Sequence, residues 1–315
     1  MIAAVVDSWG ATPVVREVPE PTRGAGEAVV RVLAAGMNPV DVFIASGRFY
    51  GDGPEPPYVA GAELVGEVVE SERLPSGTRV WSLGTGGAFA EVAAVPEASL
   101  VPVPDGLSPE RAVAAGIAGL AGWMSVLERG AMRPGETVVV LGASGVVGQV
   151  AVQAARRHGA GRIVAVARSA EGLGRAAALG ADVAVPIDDG DLVDALAAAC
   201  DGTADLVVDV VWGEPAAAAV RVLGRGGRLV QAGNAGGPLA EIPAGPLRGG
   251  RLEIRGFALF TEDRGDVERC YGELAPLVGD GRVRIDVEAV PLAEAPIAWE
   301  RQVAGAAGRK LVLVT

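Results

Sequence analysis

Residues 137–157 read TVVVLGASGVVGQVAVQAARR, and this stretch decides the fold. Thr137 to Leu141 is a short, unbroken apolar run, the pattern of a strand buried on both faces. Gly142, Gly145 and Gly148 follow at intervals of three, and Val147 to Arg157 reads as a helix closing on two arginines. A strand, a glycine-rich turn and a helix in that order form a phosphate site. Glycine lets the backbone approach a pyrophosphate, whose charge rests on the N–H groups at the helix start. The expected contacts are Gly142, Ser144, Gly145, Val146, Val147 and Gly148. The spacing departs from the strict GxGxxG, and a chain with 46 glycines makes clusters by chance. The flanking strand and helix are what separate this turn from an ordinary tight connection.

Working outward, Arg162 to Ala167 reads as a second strand and Glu171 to Leu179 as a helix ended by Gly180. Leu206 to Val211, Arg228 to Gln231 and Leu252 to Ile254 supply later strands. Continuous apolar strands alternating with helices predict a doubly wound parallel sheet of the α/β class. Before residue 108 the texture is different: Val29 to Ala34 and Leu64 to Val69 are short β-branched runs bounded by Gly and Pro clusters. Ser108, Pro109 and Glu110 form a helix start. From Pro276 to Thr315 the strand-rich texture returns, so this tail is expected to fold back onto the first domain.

The residues that choose between dinucleotides lie about 20 positions past the last glycine. A carboxylate there would bind the ribose 2′-hydroxyl of NAD, whereas this chain has Ala167-Arg168-Ser169. An arginine and a hydroxyl suit the 2′-phosphate of NADP, so the expected cofactor is NADPH. The competing reading makes Arg168 a solvated charge at a strand end.

Composition closes several other routes. Acidic residues outnumber basic ones 39 to 27, a formal charge of −12 that disfavours nucleic acid as a partner. His158 is the one histidine and Lys310 the one lysine, so a catalytic triad, a histidine-rich metal site or a Schiff base would have to use them. His158 sits in a last helical turn, an ordinary place for a cationic residue. Cys200 and Cys270 stand far apart in no metal-binding pattern, as in a reducing compartment. No targeting segment is evident, and glycines and glutamines interrupt the uncharged run 137–155, so the chain reads as soluble and cytoplasmic, with no membrane partner.

With these residues in hand, the sequence resembles the zinc-independent quinone oxidoreductases, the zeta-crystallin type, of the medium-chain dehydrogenase/reductase superfamily. The resemblance runs through EAVVRVLAAGMNPVDVFIASGRFY (27–50), GGAFAEVAAVPEASLVPVPDGL (86–107), GASGVVG (142–148), VLGRGGRLVQAG (222–233) and KLVLVT (310–315). It implies a GroES-like β-rich catalytic domain over 1–116 and 257–315, and a Rossmann domain over 117–256. It also implies further cofactor contacts at Phe43, Val211, Gly233, Asn234, Phe257, Ala258, Leu259 and Lys310. A homodimer paired through the strand at Leu252 to Phe257 follows from the same likeness. Where zinc-dependent relatives carry metal ligands, this chain has Asn38-Pro39 and Gly61-Ala62-Glu63, so no metal is expected. The family's cofactor-binding lysine falls near Gly172 and its tyrosine near Ile187, which leaves Arg168 with most of the selectivity.

Quinones and α,β-unsaturated carbonyls accept hydride without zinc or a strong acid, because the charge spreads onto oxygen. Reduction of such a small molecule is therefore the expected activity. Asn38, in the former metal-ligand position, is either the side chain that hydrogen-bonds the carbonyl or a turn residue satisfying nearby backbone, and Tyr50 is the candidate proton donor or part of a mobile lid. Asp41 and Glu63 are expected as structural hydrogen-bonding partners, and Trp123 and Trp212 as packing residues. A biosynthetic enoyl reductase and a non-catalytic NADPH-binding protein remain alternatives.

Overall fold

The computed structural model describes residues 1–51, 53–188, 191–305 and 308–315, and it divides into two compact units. One comprises Met1–Ala118 with Tyr271–Thr315, the other Gly119–Cys270.

The first unit is β-rich. Its larger sheet is organised on Glu27–Gly36, a ten-residue strand with β-branched and small residues on its buried face. Glu63–Glu70 pairs along one edge of that strand, antiparallel, with Arg79–Leu83 beyond it. Val92–Pro96 and Lys310–Val314 share the other edge, both antiparallel. A smaller sheet orders Val14–Glu17, Ile2–Val6 and Tyr58–Val59. Phe89, Leu64, Met37, Trp299 and Leu313 meet in the core. The register that pairs Val312 with Gly36 brings Lys310 beside Met37 and Asn38, 272 residues away from the latter in sequence.

The tail is less strand-rich than its texture suggests. Val287–Pro291 and Lys310–Val314 are strands, but Ala295–Val303 between them is a helix that buries Ala295, Ala298 and Trp299 on one face. The expected boundary at residue 257 and the observed one at Tyr271 also differ. The Phe257 N–H donates to the Gln231 carbonyl, which extends the second unit's strand pairing past 256. The chain then returns to the first unit within the helix Arg264–Gly279.

In the second unit six strands lie parallel, in the order Val183–Pro186, Arg162–Ala167, Thr137–Leu141, Ala204–Asp209, Leu223–Gln231, Glu253–Gly256. This is the doubly wound order 3-2-1-4-5-6, whose strand sequence reverses between Thr137–Leu141 and Ala204–Asp209. Val139, Leu141, Val164, Val166 and Val207 form the buried stripe beneath the helices. The strand expected to reach Val211 stops at Asp209 instead. Its carboxylate accepts the N–H groups of Val211 (2.8 Å) and Trp212 (2.9 Å), turning the chain out of the ladder. Trp212 is thereby held at φ 61°, ψ −164°, a conformation otherwise left almost wholly to glycine.

Candidate functional site

The phosphate turn of the second unit is open. Gly142 turns the chain at φ 81°, with Val210 packed where a side chain would project. The helix Val146–Arg157 starts from Gly145, which has no side chain to cap it. The first helical N–H groups, those of Val146, Val147 and Gly148, have no intrahelical acceptors, so they remain available to an anion. Below the turn, the Gln149 amide donates to the Ser144 carbonyl at 2.8 Å, which fixes the loop to the helix it starts.

At the end of the neighbouring strand, Arg168 is exposed and has no ion-pair partner among the described residues. Ser169 caps the helix Ala170–Ala178 by accepting the Gly172 N–H at 3.1 Å, and its own hydroxyl hydrogen is left to donate. The family's lysine has no room at Gly172. A Cβ there would lie closer than 3.0 Å to the Cβ of Ser144.

The other expected cofactor residues of this unit border the same end of the sheet. Val211 N–H is taken by Asp209, and Val211 carbonyl by the Gly236 N–H at 2.6 Å. Gly233 runs against Val210, and its carbonyl accepts from the Gln231 side chain at 2.9 Å. Asn234 is exposed, Ala258 half-buried, and Phe257 and Leu259 are buried. Sequence reasoning missed Asp209, which is fully buried, with one carboxylate oxygen lacking a partner among the described residues. Burial pushes this carboxyl up to about 6, against the pull of the Trp212 and Val211 N–H groups. An Asp closing a parallel strand, just before a turn, was the available signal.

In the first unit the polar residues turn inward. Asn38 is 2% exposed and caps the helix Pro39–Ala45. Its amide hydrogens go to the Gly36 carbonyl (3.0 Å) and to Glu63 Oε1 (2.9 Å). Its oxygen accepts from the Lys310 ammonium at 2.5 Å. The amide expected to bind a substrate carbonyl is thus committed within the fold. Lys310 is a second correction: it is 2% exposed, and its Nζ donates to Asn38, to Glu63 Oε1 (2.7 Å) and to the Met37 carbonyl (3.2 Å). An ammonium has three N–H donors, so none is left for a cofactor.

Glu63 is the hub of this cluster. Its other oxygen accepts from Trp81 Nε1 (3.2 Å) and from the Ile117 N–H (2.7 Å). A Cβ at Gly36 or Gly116 would intrude on the carboxylate, so both positions require glycine. Asp41 completes the group, accepting the N–H of Asn38 (2.6 Å) and of Ala62 (2.8 Å). Burial raises its carboxyl to about 7; the Asn38 N–H and the Lys310 charge pull the other way. Burial, with Asp41 adding to it, pushes the Tyr58 phenol up to about 12, so it keeps its proton at neutral pH.

One group here faces outward. Phe43, on the helix capped by Asn38, meets Phe49 at 6.2 Å and Tyr50 at 6.0 Å between ring centroids, and Phe49 and Tyr50 lie 4.7 Å apart. Tyr50 is 61% exposed, whereas Phe43 and Phe49 are half-buried. Among the described residues no group of three or more His, Cys, Asp or Glu side chains could hold a metal ion. The residues at the former ligand positions do not suit one either: Glu63 is saturated, and a cation would meet the Lys310 ammonium.

Comparison with known proteins converges on one family. The model of the alcohol dehydrogenase GroES-like domain matches residues 24–105, and that of the zinc-binding dehydrogenases matches 146–275. The quinone oxidoreductase of Thermus thermophilus, solved also in complex with NADPH, is 33% identical, with a TM-score of 0.84 over 100% of both chains. The rat quinone oxidoreductase is 27% identical over 275 residues, 85% of this chain and 82% of its own. A phenolphthiocerol/phthiocerol polyketide synthase component of Mycobacterium tuberculosis is 35% identical over 218 residues, which cover 67% of this chain and 10% of that protein. The chain thus spans about a tenth of that synthase's length. No helix among the described residues is long and apolar enough to cross a membrane.

Proposed function

The chain belongs to the medium-chain dehydrogenase/reductase superfamily, in its zeta-crystallin-like branch, and from that premise we propose an NADPH-dependent reductase of quinones or α,β-unsaturated carbonyls that works without zinc. The observation that carries this reading is the exposed Arg168 guanidinium, without an ion-pair partner among the described residues, next to the Ser169 hydroxyl at the end of the strand adjoining an uncapped phosphate turn. Arg168 binds the 2′-phosphate, Ser169 adds a hydrogen bond, and the N–H groups of Val146 to Gly148 take the pyrophosphate. The nicotinamide, when bound, supplies a hydride.

The chain's own residues then have a limited task. The aromatic surface of Phe43, Phe49 and Tyr50 stacks a flat conjugated acceptor and keeps water off one face of it. Neither Asn38 nor Lys310 is free to polarise the carbonyl. Tyr50, with an exposed phenol, is the side chain able to pass a proton to the reduced oxygen, and water serves otherwise. Asp41 and Glu63 hold the scaffold and move no proton to substrate.

Loss of NADPH absorbance on adding a quinone, at a rate several-fold above that with NADH, is the expected result. Turnover that needs added zinc, or that prefers NADH, would overturn it. The match to a polyketide synthase supports a second reading, an enoyl reductase of one biosynthetic intermediate. Strong preference for an enoyl thioester over every simple quinone would select that reading. We also propose a cytoplasmic homodimer paired along Glu253–Gly256, the outermost strand of its sheet, one edge of which has no partner strand among the described residues. Light scattering at micromolar concentration should give twice the chain mass.

A further inference from the structure

The helix Pro39–Ala45 has seven residues, fewer than a helix needs to stand alone in water, so its place is set by the packing of buried Ile44 and Ala45 and by what holds its ends. At its start, Lys310 donates to the Met37 carbonyl and to the Asn38 side chain, the two residues that lead the chain into it. The Asp41 carboxylate accepts the Asn38 N–H there at 2.6 Å, and the Asn38 amide is held to Glu63. At its end, the Ser46 hydroxyl donates to the Phe43 carbonyl at 2.7 Å. Phe43 sits little more than one turn from Asn38 and is the ring on which Phe49 and Tyr50 rest. With so little helix in between, a shift at Asn38 is passed on to the aromatic surface.

We propose that Lys310 is a positioning residue for substrate: through Asn38 it sets the aromatic surface of Phe43, Phe49 and Tyr50, and it makes no contact with the cofactor. The substrate part of this proposal rests on the reductase reading above; the placement of the helix does not. Glu63 acts in it as the counter-ion that allows an ammonium to lie 2% exposed in the core of the unit. A buried cation is tolerated where it is paired and all its donors are used, as here.

The test uses Lys310→Met and the double variant Glu63→Gln/Lys310→Met, in the full chain. The single variant strands a buried carboxylate and can fail to fold, whereas the double one removes both charges together. In the double variant, KM for 1,4-naphthoquinone should rise about tenfold, with kcat and the NADPH dissociation constant by fluorescence titration changed less than about twofold. Hydrogen exchange should quicken in the peptide spanning 38–50 and stay unchanged in the strands of the second unit. A folded double variant with unchanged KM and unchanged exchange would reduce Lys310 to a charge partner and overturn the proposal. A weakened NADPH affinity with KM unchanged would overturn it too, by returning Lys310 to the cofactor. If the wild type reduces no quinone or enone, the reductase reading falls, and the exchange measurement alone still decides whether Lys310 places the helix.

Discussion

The polar cluster of the first unit and the phosphate turn of the second answer the same chemical problem in opposite ways. Around Glu63 four donors converge on one carboxylate, so the cluster is closed. At Gly145 a helix begins with no side-chain cap, and at the end of the adjoining strand Arg168 has no counter-ion among the described residues. The closed group resembles a catalytic centre when read in one dimension, because Asn, Asp, Glu and Lys are the residues of active sites. The open group is nearly featureless glycine and valine. Ligand binding belongs with unmet hydrogen-bonding capacity, and polar residue type alone does not reveal it.

The sharpest way to break this contrast is Glu63→Gln. Removing one charge of a buried pair leaves Lys310 uncompensated, which should cost about 3–5 kcal/mol in denaturant melts. A loss under about 1 kcal/mol would mean the cluster is not the closed structural unit described.

Acidity offers a second lever. Asp41 and Asp209 are raised to about 7 and about 6 from 3.8, so the folded chain keeps protons that the unfolded chain releases in between. Stability should therefore be greatest near the acidic end of that window and fall as pH rises through it, by up to roughly 1.4 kcal/mol per pH unit for each group. Glu136, held below its ordinary 4.5 by Arg228, acts oppositely, but only under about pH 5. Melting temperature should thus decline from pH 5 to 7 and level off above 8, and Asp41→Asn should flatten the upper part of the slope. A melting temperature that climbs over this range would contradict the burial of both carboxyls.

On the open side, Arg168→Asp should weaken NADPH binding by about 1.5–3 kcal/mol, ten- to a hundredfold, and leave NADH binding and the melting temperature nearly unchanged. Equal wild-type affinities for the two cofactors would make Arg168 a solvated strand-end charge. Ser169→Ala is the smallest step. Losing the helix cap should lower stability by about 1 kcal/mol, and NADPH affinity only a few-fold. No loss of stability would mean that the cap bond to Gly172 contributes nothing.

Much of the second unit was legible in the sequence. Thr137–Leu141 and Arg162–Ala167 carry unbroken apolar runs between glycines, and their observed bounds are those expected. Periodicity failed where a side chain overrode it, as at Asp209, whose carboxylate stops a strand that valine would have continued. The tail misled for a related reason: Val287 to Pro291 is strand-like, but Trp299 marks a helical face that only the buried core explains. In the first unit the residues were identifiable and their roles were not. That Lys310 reaches Asn38 depends on one strand register across 272 residues, and no local pattern encodes it.

The burial of Lys310 also bears on how the protein behaves at the bench. It is the one lysine in 315 residues, and its amine is fully engaged inside the first unit. Amine-directed reagents such as acylating dyes, cross-linkers or immobilising esters therefore find no reactive side chain on the native molecule, apart from any chain-terminal amine. When the first unit opens, a single site appears. The extent of labelling at Lys310, read by mass spectrometry, is a built-in, residue-specific clock for that opening.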